Sequence, residues 1–303
     1  MSRGSWAALL VLALSAGARA QVPVRYAHFP AVSPDGSQVA FCWLGDIWVG
    51  PTAGGPVRPL TTNPADDTRP AWSPDGQWIA FSSLRGGSWD VWVQPAAGGE
   101  PRRLTFHGGT ETVRGWTPDS RQVQFGSRRA GFGMGPGRTD YLQPLAGGMA
   151  TRLHRAESSG GVLSPDGARF ACVRGASTGT RRHYDGPAAE DIWVLNRAAD
   201  TWQQLTQFAG VDTDPQWLSA KEVLFVSERS SVPNLWRQSV DAGQALQVTR
   251  HSDPVADPSV SADGKTVVYE CEKSLWRLRL PDGQPERIAL TGALGTASRE
   301  LSG

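Results

Sequence analysis

Asp67-Thr68-Arg69-Pro70-Ala71-Trp72-Ser73-Pro74-Asp75-Gly76-Gln77-Trp78-Ile79-Ala80-Phe81 decides the fold. The stretch places an apolar segment, a four-residue turn and an alternating strand in sequence. Pro74 presets φ for the turn, Asp75 bonds back to nearby amides and Gly76 tolerates positive φ. After the turn, Ile79 and Phe81 alternate with smaller residues, as in a half-buried strand.

The same pattern runs the length of the chain. Ser33-Pro34-Asp35-Gly36 precedes it, and Thr117-Pro118-Asp119-Ser120, Ser164-Pro165-Asp166-Gly167 and Ser261-Ala262-Asp263-Gly264 follow. The aspartates at 35, 75, 119, 166 and 263 are spaced by 40, 44, 47 and 97 residues. The last spacing is two periods and hides a degenerate copy around Pro215-Gln216-Trp217-Leu218-Ser219 and Val223-Leu224-Phe225-Val226. Six repeats result. Each continues into a third strand, such as Asp46-Ile47-Trp48-Val49, Asp90-Val91-Trp92-Val93 or Asp191-Ile192-Trp193-Val194, and then a Gly-rich hairpin such as Ala53-Gly54-Gly55. A fourth strand ends in Leu60-Thr61, Leu104-Thr105, Leu205-Thr206 or Val248-Thr249.

Four short strands per unit predict an all-β, six-bladed β-propeller with four antiparallel strands per blade. A lone four-stranded sheet cannot cover both faces, so neighbouring blades must, and the repeated Phe and Trp are expected at the interfaces, Trp92 and Trp193 among them. Residues 21–290 form the propeller in this reading, 1–20 a cleaved signal peptide and 291–303 a tail. The signal rests on Arg3, the apolar run from Ala7 to Leu14, and Ala18-Arg19-Ala20. That run is too short to span a bilayer, so the mature chain is expected to have no membrane span and to be periplasmic or secreted. Each repeat supplies all four of its strands and only residues 21–29 remain outside, which predicts ring closure mainly by packing between blades one and six.

Charge narrows the function classes. Without Arg3 and Arg19 the chain has 28 basic residues against 29 acidic ones. That near-neutrality argues against nucleic acid as a partner. Cys42, Cys172 and Cys271 form no CxxC pair, so no zinc or redox motif, metal or cofactor is expected. Strand alternation sets Cys42 and Cys271 on opposite faces, against a disulfide between them.

No catalytic constellation emerges. His28, His107, His154, His183 and His251 form no HExxH, and no G-x-S-x-G elbow is present. Two sets of residues stand out for binding. Arg128, Arg129 and Arg138 flank one long insert, and Arg181, Arg182, His183 and Tyr184 lie in another; long loops on a rigid scaffold often carry recognition, and Arg and Tyr are frequent interface anchors. Asp67, Glu111 and Asp212 occupy matching positions before the first strand of their repeats. They suggest either an acidic ring at the channel rim or caps for local backbone.

The repeats resemble the blades of TolB and of the tricorn protease, most closely in DTRPAWSPDG at 67–76 and GGEPRRLT at 98–105. Repeats beginning at Tyr26-Ala27-His28-Phe29-Pro30, and the insert before Asp191-Ile192-Trp193, resemble the N-terminal propeller of tricorn-like serine peptidases. The resemblance implies a non-catalytic exported propeller that binds or gates peptides, or docks partners, for a protease. The second propeller, PDZ module and peptidase core of that family have no counterpart in the 303 residues. The chain thus reads as a fragment of a longer peptidase or as a stand-alone propeller. The alternative is a TolB-like periplasmic module that holds envelope proteins and is unconnected with proteolysis.

Overall fold

The computed structural model describes residues 21–129, 139–156, 158–175, 190–241 and 243–293. The expected signal peptide lies outside them. The described residues form strands and turns and no helix. Strand β1 is Gln21–Pro23. Blade one comprises β2 to β5, at His28–Val32, Gln38–Trp43, Asp46–Pro51 and Gly55–Pro59. Blade two has β6 to β9, at Asp67–Trp72, Trp78–Ser83, Asp90–Pro95 and Arg102–Arg103. Blade three has β10 to β13, at Glu111–Trp116, Gln122–Ser127, Thr139–Pro144 and Thr151–Arg152. Blade four has β14 to β17, at Ser159–Leu163, Arg169–Arg174, Asp191–Asn196 and Thr201–Gln204. Blade five has β18 to β21, at Asp212–Ser219, Glu222–Ser227, Asn234–Ser239 and Leu246–Gln247. Blade six has β22 to β25, at Ala256–Val260, Thr266–Cys271, Ser274–Arg279 and Glu286–Arg287, and β26 follows at Leu290–Ala293. Within each blade the four strands pair antiparallel in chain order.

The repeated motifs form hydrogen-bond staples. In each SPDG turn the Ser or Thr hydroxyl donates to the Asp carboxylate, at 2.5 Å in Ser33–Asp35 and Ser73–Asp75, and also accepts from the amide five residues on. These bonds to the charged form, the side-chain bond foremost, hold Asp35, Asp119, Asp166 and Asp263 below the ordinary carboxylate range. The aspartates are therefore turn formers. In the hidden fifth repeat a two-residue turn at Ala220-Lys221 replaces the motif, with Ser219 opposite Glu222. The Leu-Thr ending has its own use: the Thr hydroxyls of Thr61, Thr105, Thr206 and Thr249 each accept the second amide of the third strand at 2.9 Å.

Six apolar clusters fill the ring. Phe41, Phe81, Phe125 and Phe225 of the second strands are wholly buried. Trp92 and Trp193 pack against the interface clusters as expected, but are only half-buried. They lie at the periphery and take a guanidinium against one ring face, Arg85 at 5.1 Å from Trp92 and Arg174 at 4.8 Å from Trp193. The cluster around Phe170, Cys172 and Leu195 has the fewest buried apolar residues. Polar groups replace carbon there: buried Gln124 donates to Gly161 O at 2.7 Å across the seam between blades three and four.

Ring closure differs from the expectation. Packing between blades one and six is present in the Phe41–Val268–Leu275 cluster. In addition, the chain leaves blade six and returns to blade one, where β26 pairs parallel with β5 and β1 pairs antiparallel with β26. Residues assigned to the tail are thus partly strand. The first residues do not extend the edge of blade six; they cap a six-stranded sheet on blade one. Gly292 makes this possible, because a Cβ there would lie 2.4 Å from the Trp43 ring.

Candidate functional site

The channel is lined by the first strand of every blade, and each of these strands is interrupted by a register shift at the same height. The residue at the shift is Phe29, Arg69, Arg114, Gly160, Asp214 and Asp257 in blades one to six. Four of them precede a proline, which cannot donate a ladder hydrogen bond and so favours a bulge. Phe29, Arg69, Gly160, Asp214 and Asp257 take positive φ, between 46° and 58°. The bulge re-aims each side chain, and all six residues line one cavity of about 260 Å³.

Ring order separates the charges. Arg69 and Arg114 are neighbours, as are Asp214 and Asp257, with Phe29 between the two groups on one side and Gly160 on the other. Arg69 reaches Asp257 at 3.8 Å and lies 4.1 Å from the centre of the Phe29 ring. Glu270 of β23 supports this side, accepting the Phe29 amide at 2.6 Å and meeting His28 Nδ1 at 2.9 Å. Desolvation is the main cause that pushes Asp214 up to about 6, with repulsion from Asp257 behind it. Desolvation and then Glu270 push Asp257 up to about 6. Both guanidiniums oppose these shifts. The site can therefore hold a cationic group between the carboxylates and an anionic group on the guanidiniums. Below the charged belt, toward the SPDG turns, the channel is apolar and edged by Pro34, Pro74, Pro118 and Pro165.

The residues read as either an acidic rim or caps of local backbone have a different place. Asp67, Glu111 and Asp212 begin the first strands of their blades and are buried, away from the channel lining. Each accepts from an arginine just past the second strand: Arg85 to Asp67 at 2.5 Å, Arg229 to Asp212 at 2.6 Å, and Arg129 to Glu111. Arg129, expected at a binding loop, thus forms a structural pair, while Arg128 beside it is exposed. Arg138, Arg181, Arg182, His183 and Tyr184 lie outside the described residues. No sequence-derived candidate belongs to the charged belt. A charged residue before a mid-strand proline marks Arg69, Asp214 and Asp257, whereas Arg114 precedes Gly115 and has no such signal.

A buried Ser/His/Asp cluster occurs in the seam between blades three and four. Ser158 Oγ donates to Asp140 at 2.8 Å, and His154 Nε2 lies 3.2 Å from Ser158 and 3.3 Å from Asp140. One ring nitrogen faces both partners, so the imidazole cannot pass a proton from the hydroxyl to its other side as a nucleophilic triad requires. The cluster replaces the Leu-Thr staple in this blade. Cys42, Cys172 and Cys271 are free and buried, in keeping with the expectation for Cys42 and Cys271.

Comparisons with known proteins follow the repeat. The family described as tricorn protease N-terminal beta propeller domain matches residues 24–284. Tricorn protease homolog 1 of Streptomyces coelicolor is 29% identical over 282 residues, covering 91% of this chain and 25% of that protein. The Tol-Pal system protein TolB of Helicobacter hepaticus is 31% identical over 83 residues, 27% of this chain and 19% of that protein. The chain thus spans about a quarter or less of the length of these curated relatives. Among solved structures, the tricorn protease superposes with a TM-score of 0.75 at 17% identity, over 88% of this chain and 26% of that one. That likeness shows the fold.

Proposed function

Because this chain belongs to the tricorn protease N-terminal β-propeller family, we propose that it is a non-catalytic propeller whose channel binds and gates peptides. The observation that carries this reading is the charge-separated belt of Arg69, Arg114, Asp214 and Asp257 at the six bulges. A short peptide has an ammonium at one end and a carboxylate at the other. The two carboxylates suit the first and the two guanidiniums, capable of bidentate contacts, suit the second. A cavity of about 260 Å³ admits an extended chain end and excludes a folded domain. Export to the periplasm belongs to this reading and rests on the pattern of residues 1–20.

Calorimetric titration with a free tetrapeptide and its N-acetylated and C-amidated forms tests it. The free form should bind, either cap should weaken binding at least tenfold, and Asp214→Asn should remove the sensitivity to N-acetylation alone. Equal binding of all three forms would sink the reading.

A second reading is favoured by the apolar mouth at the SPDG turns, where Trp72, Trp116, Val162 and four prolines surround an opening. That surface suits docking of an envelope protein in the manner of a TolB-like module. Capture of a protein partner that is abolished by Trp116→Glu and unaffected by Asp214→Asn would favour it.

A further inference from the structure

His251, Cys271 and Glu272 come together where the loop into blade six passes the turn between β23 and β24. One imidazole nitrogen, the Cys271 sulfur and a Glu272 carboxylate oxygen lie within 4.8 Å of one another. We propose that these three residues form a binding site for a divalent transition-metal ion, with Zn²⁺ the best match. The site is independent of the channel and of its ligand.

The donors carry the argument. Nitrogen, thiolate sulfur and carboxylate oxygen are the three ligand types of protein zinc sites, and three protein ligands leave a fourth tetrahedral position. The backbone carbonyl of Asp253 lies 3.6 Å from Cys271 Sγ. The imidazole is already oriented. His251 Nε2 meets the Tyr269 hydroxyl at 2.9 Å, and the ring packs edge-on to Trp276 at 4.9 Å. A ligating histidine commonly has one ring nitrogen fixed in this way.

The turn presents one of its donors outward. Glu272 and Lys273 form the two-residue turn between β23 and β24 with φ of 50° and 58°, a conformation usually left to Asn or Gly. Glu272 is exposed at the tip, while Cys271 is buried at the strand end. Glu272 and Asp253 place negative charge beside the thiol and the imidazole. A divalent cation would offset both acids and the thiolate, whose proton would pass to solvent on binding.

The charged groups around the site are Glu272 and Asp253, with exposed Lys273 and Arg250 adjacent in sequence. Sequence reading missed the site because its ligands are about 20 residues apart and form no local motif.

The test is titration of reduced, tag-free protein with Co²⁺. A saturating 1:1 rise in thiolate-to-cobalt charge-transfer absorption is expected, with loss of the band on adding Zn²⁺. Cys271→Ser should abolish the band and Cys42→Ser should leave it. Glu272→Gln, at an exposed position that cannot upset folding, should weaken cobalt binding at least tenfold. Absence of the band in the wild type, a band that survives Cys271→Ser, or unchanged affinity in Glu272→Gln each overturns the proposal.

Discussion

Arg85→Met probes whether the acidic residues at the strand starts are structural. The Asp67 side chain is fully buried, Arg85 is 11% exposed, and the two meet at 2.5 Å. Removing the guanidinium leaves a carboxylate with no counter-charge, and its other oxygen has no hydrogen-bond partner to compensate. Breaking a buried pair by deleting one member costs about 3–5 kcal/mol. Met retains most of the aliphatic stem, so little of that is lost packing. The change is a large fraction of the ~5–15 kcal/mol that stabilises a typical domain. At about 2–4 °C per kcal/mol for a domain of comparable size, the melting temperature should fall by roughly 6–20 °C. The control is Arg85→Met/Asp67→Leu. Replacing a whole buried pair with apolar groups is often neutral or stabilising, so the double variant should recover most of the loss. Urea unfolding followed by fluorescence of the 13 tryptophans reads both. A single variant within about 0.5 kcal/mol of wild type, the range of ordinary surface substitutions, would refute the reasoning. So would a double variant no better than the single one.

The channel carboxylates give a pH dependence of known sign. Asp214 and Asp257 are raised from 3.8 to about 6, so the folded chain holds protons that the unfolded chain has released in that window. Unfolding there releases protons, and stability should decline as pH rises from about 4 to about 6. The melting temperature of Asp214→Asn should show a shallower decline. The SPDG aspartates act in the opposite sense, and their contribution is lost only below 3.8. At the ring closure, Gly292→Val drives a side chain into Trp43 and should cost about 1–3 kcal/mol. Faster hydrogen exchange at Gly55, whose amide donates to Ala289 O at 2.8 Å, would locate the damage at β26. Phe81→Ala, at a wholly buried position, should cost about 3–5 kcal/mol and exceed Trp92→Ala in paired denaturation curves.

The repeat was legible because each part of it obeys a local rule. Ser-Pro-Asp-Gly can hardly be anything but a turn, and alternating Val39-Phe41 or Ile79-Phe81 can sit still only in a half-covered strand. The count of six followed even where Ala220-Lys221 replaces the motif, since the flanking strands keep their phase. Less legible were features that depend on pairing between strands or across a blade boundary. Asp67 and Arg85 are 18 residues apart, on opposite sides of a strand pair. Nothing local separates a buried pair from two solvated charges. The closing strand was missed because Leu290-Thr291-Gly292-Ala293 reaches its partner strand, residues 55–57, at the other end of the chain. Gly292 reads as a tail residue until Trp43 is placed over it.

The symmetry of the fold bears on where its function can lie. Every blade must solve the same packing problem, so positions under that constraint converge on similar residues: Phe or Tyr in most second strands, Thr at most strand-four ends. Positions free of it can diverge. The bulge in the first strand is such a position, because it lines the channel and, Phe29 apart, lies outside the apolar packing between blades. There the six blades carry Phe29, Arg69, Arg114, Gly160, Asp214 and Asp257. Random divergence of a solvated position would scatter charge around the ring. Instead like charges are adjacent and opposite charges face each other: beyond desolvation, Asp257 raises Asp214, Glu270 raises Asp257, and both arginines lower both. Placing like charges side by side at a desolvated belt is unfavourable for the fold taken alone. Under the proposed function, a ligand whose own charges are separated would offset that cost.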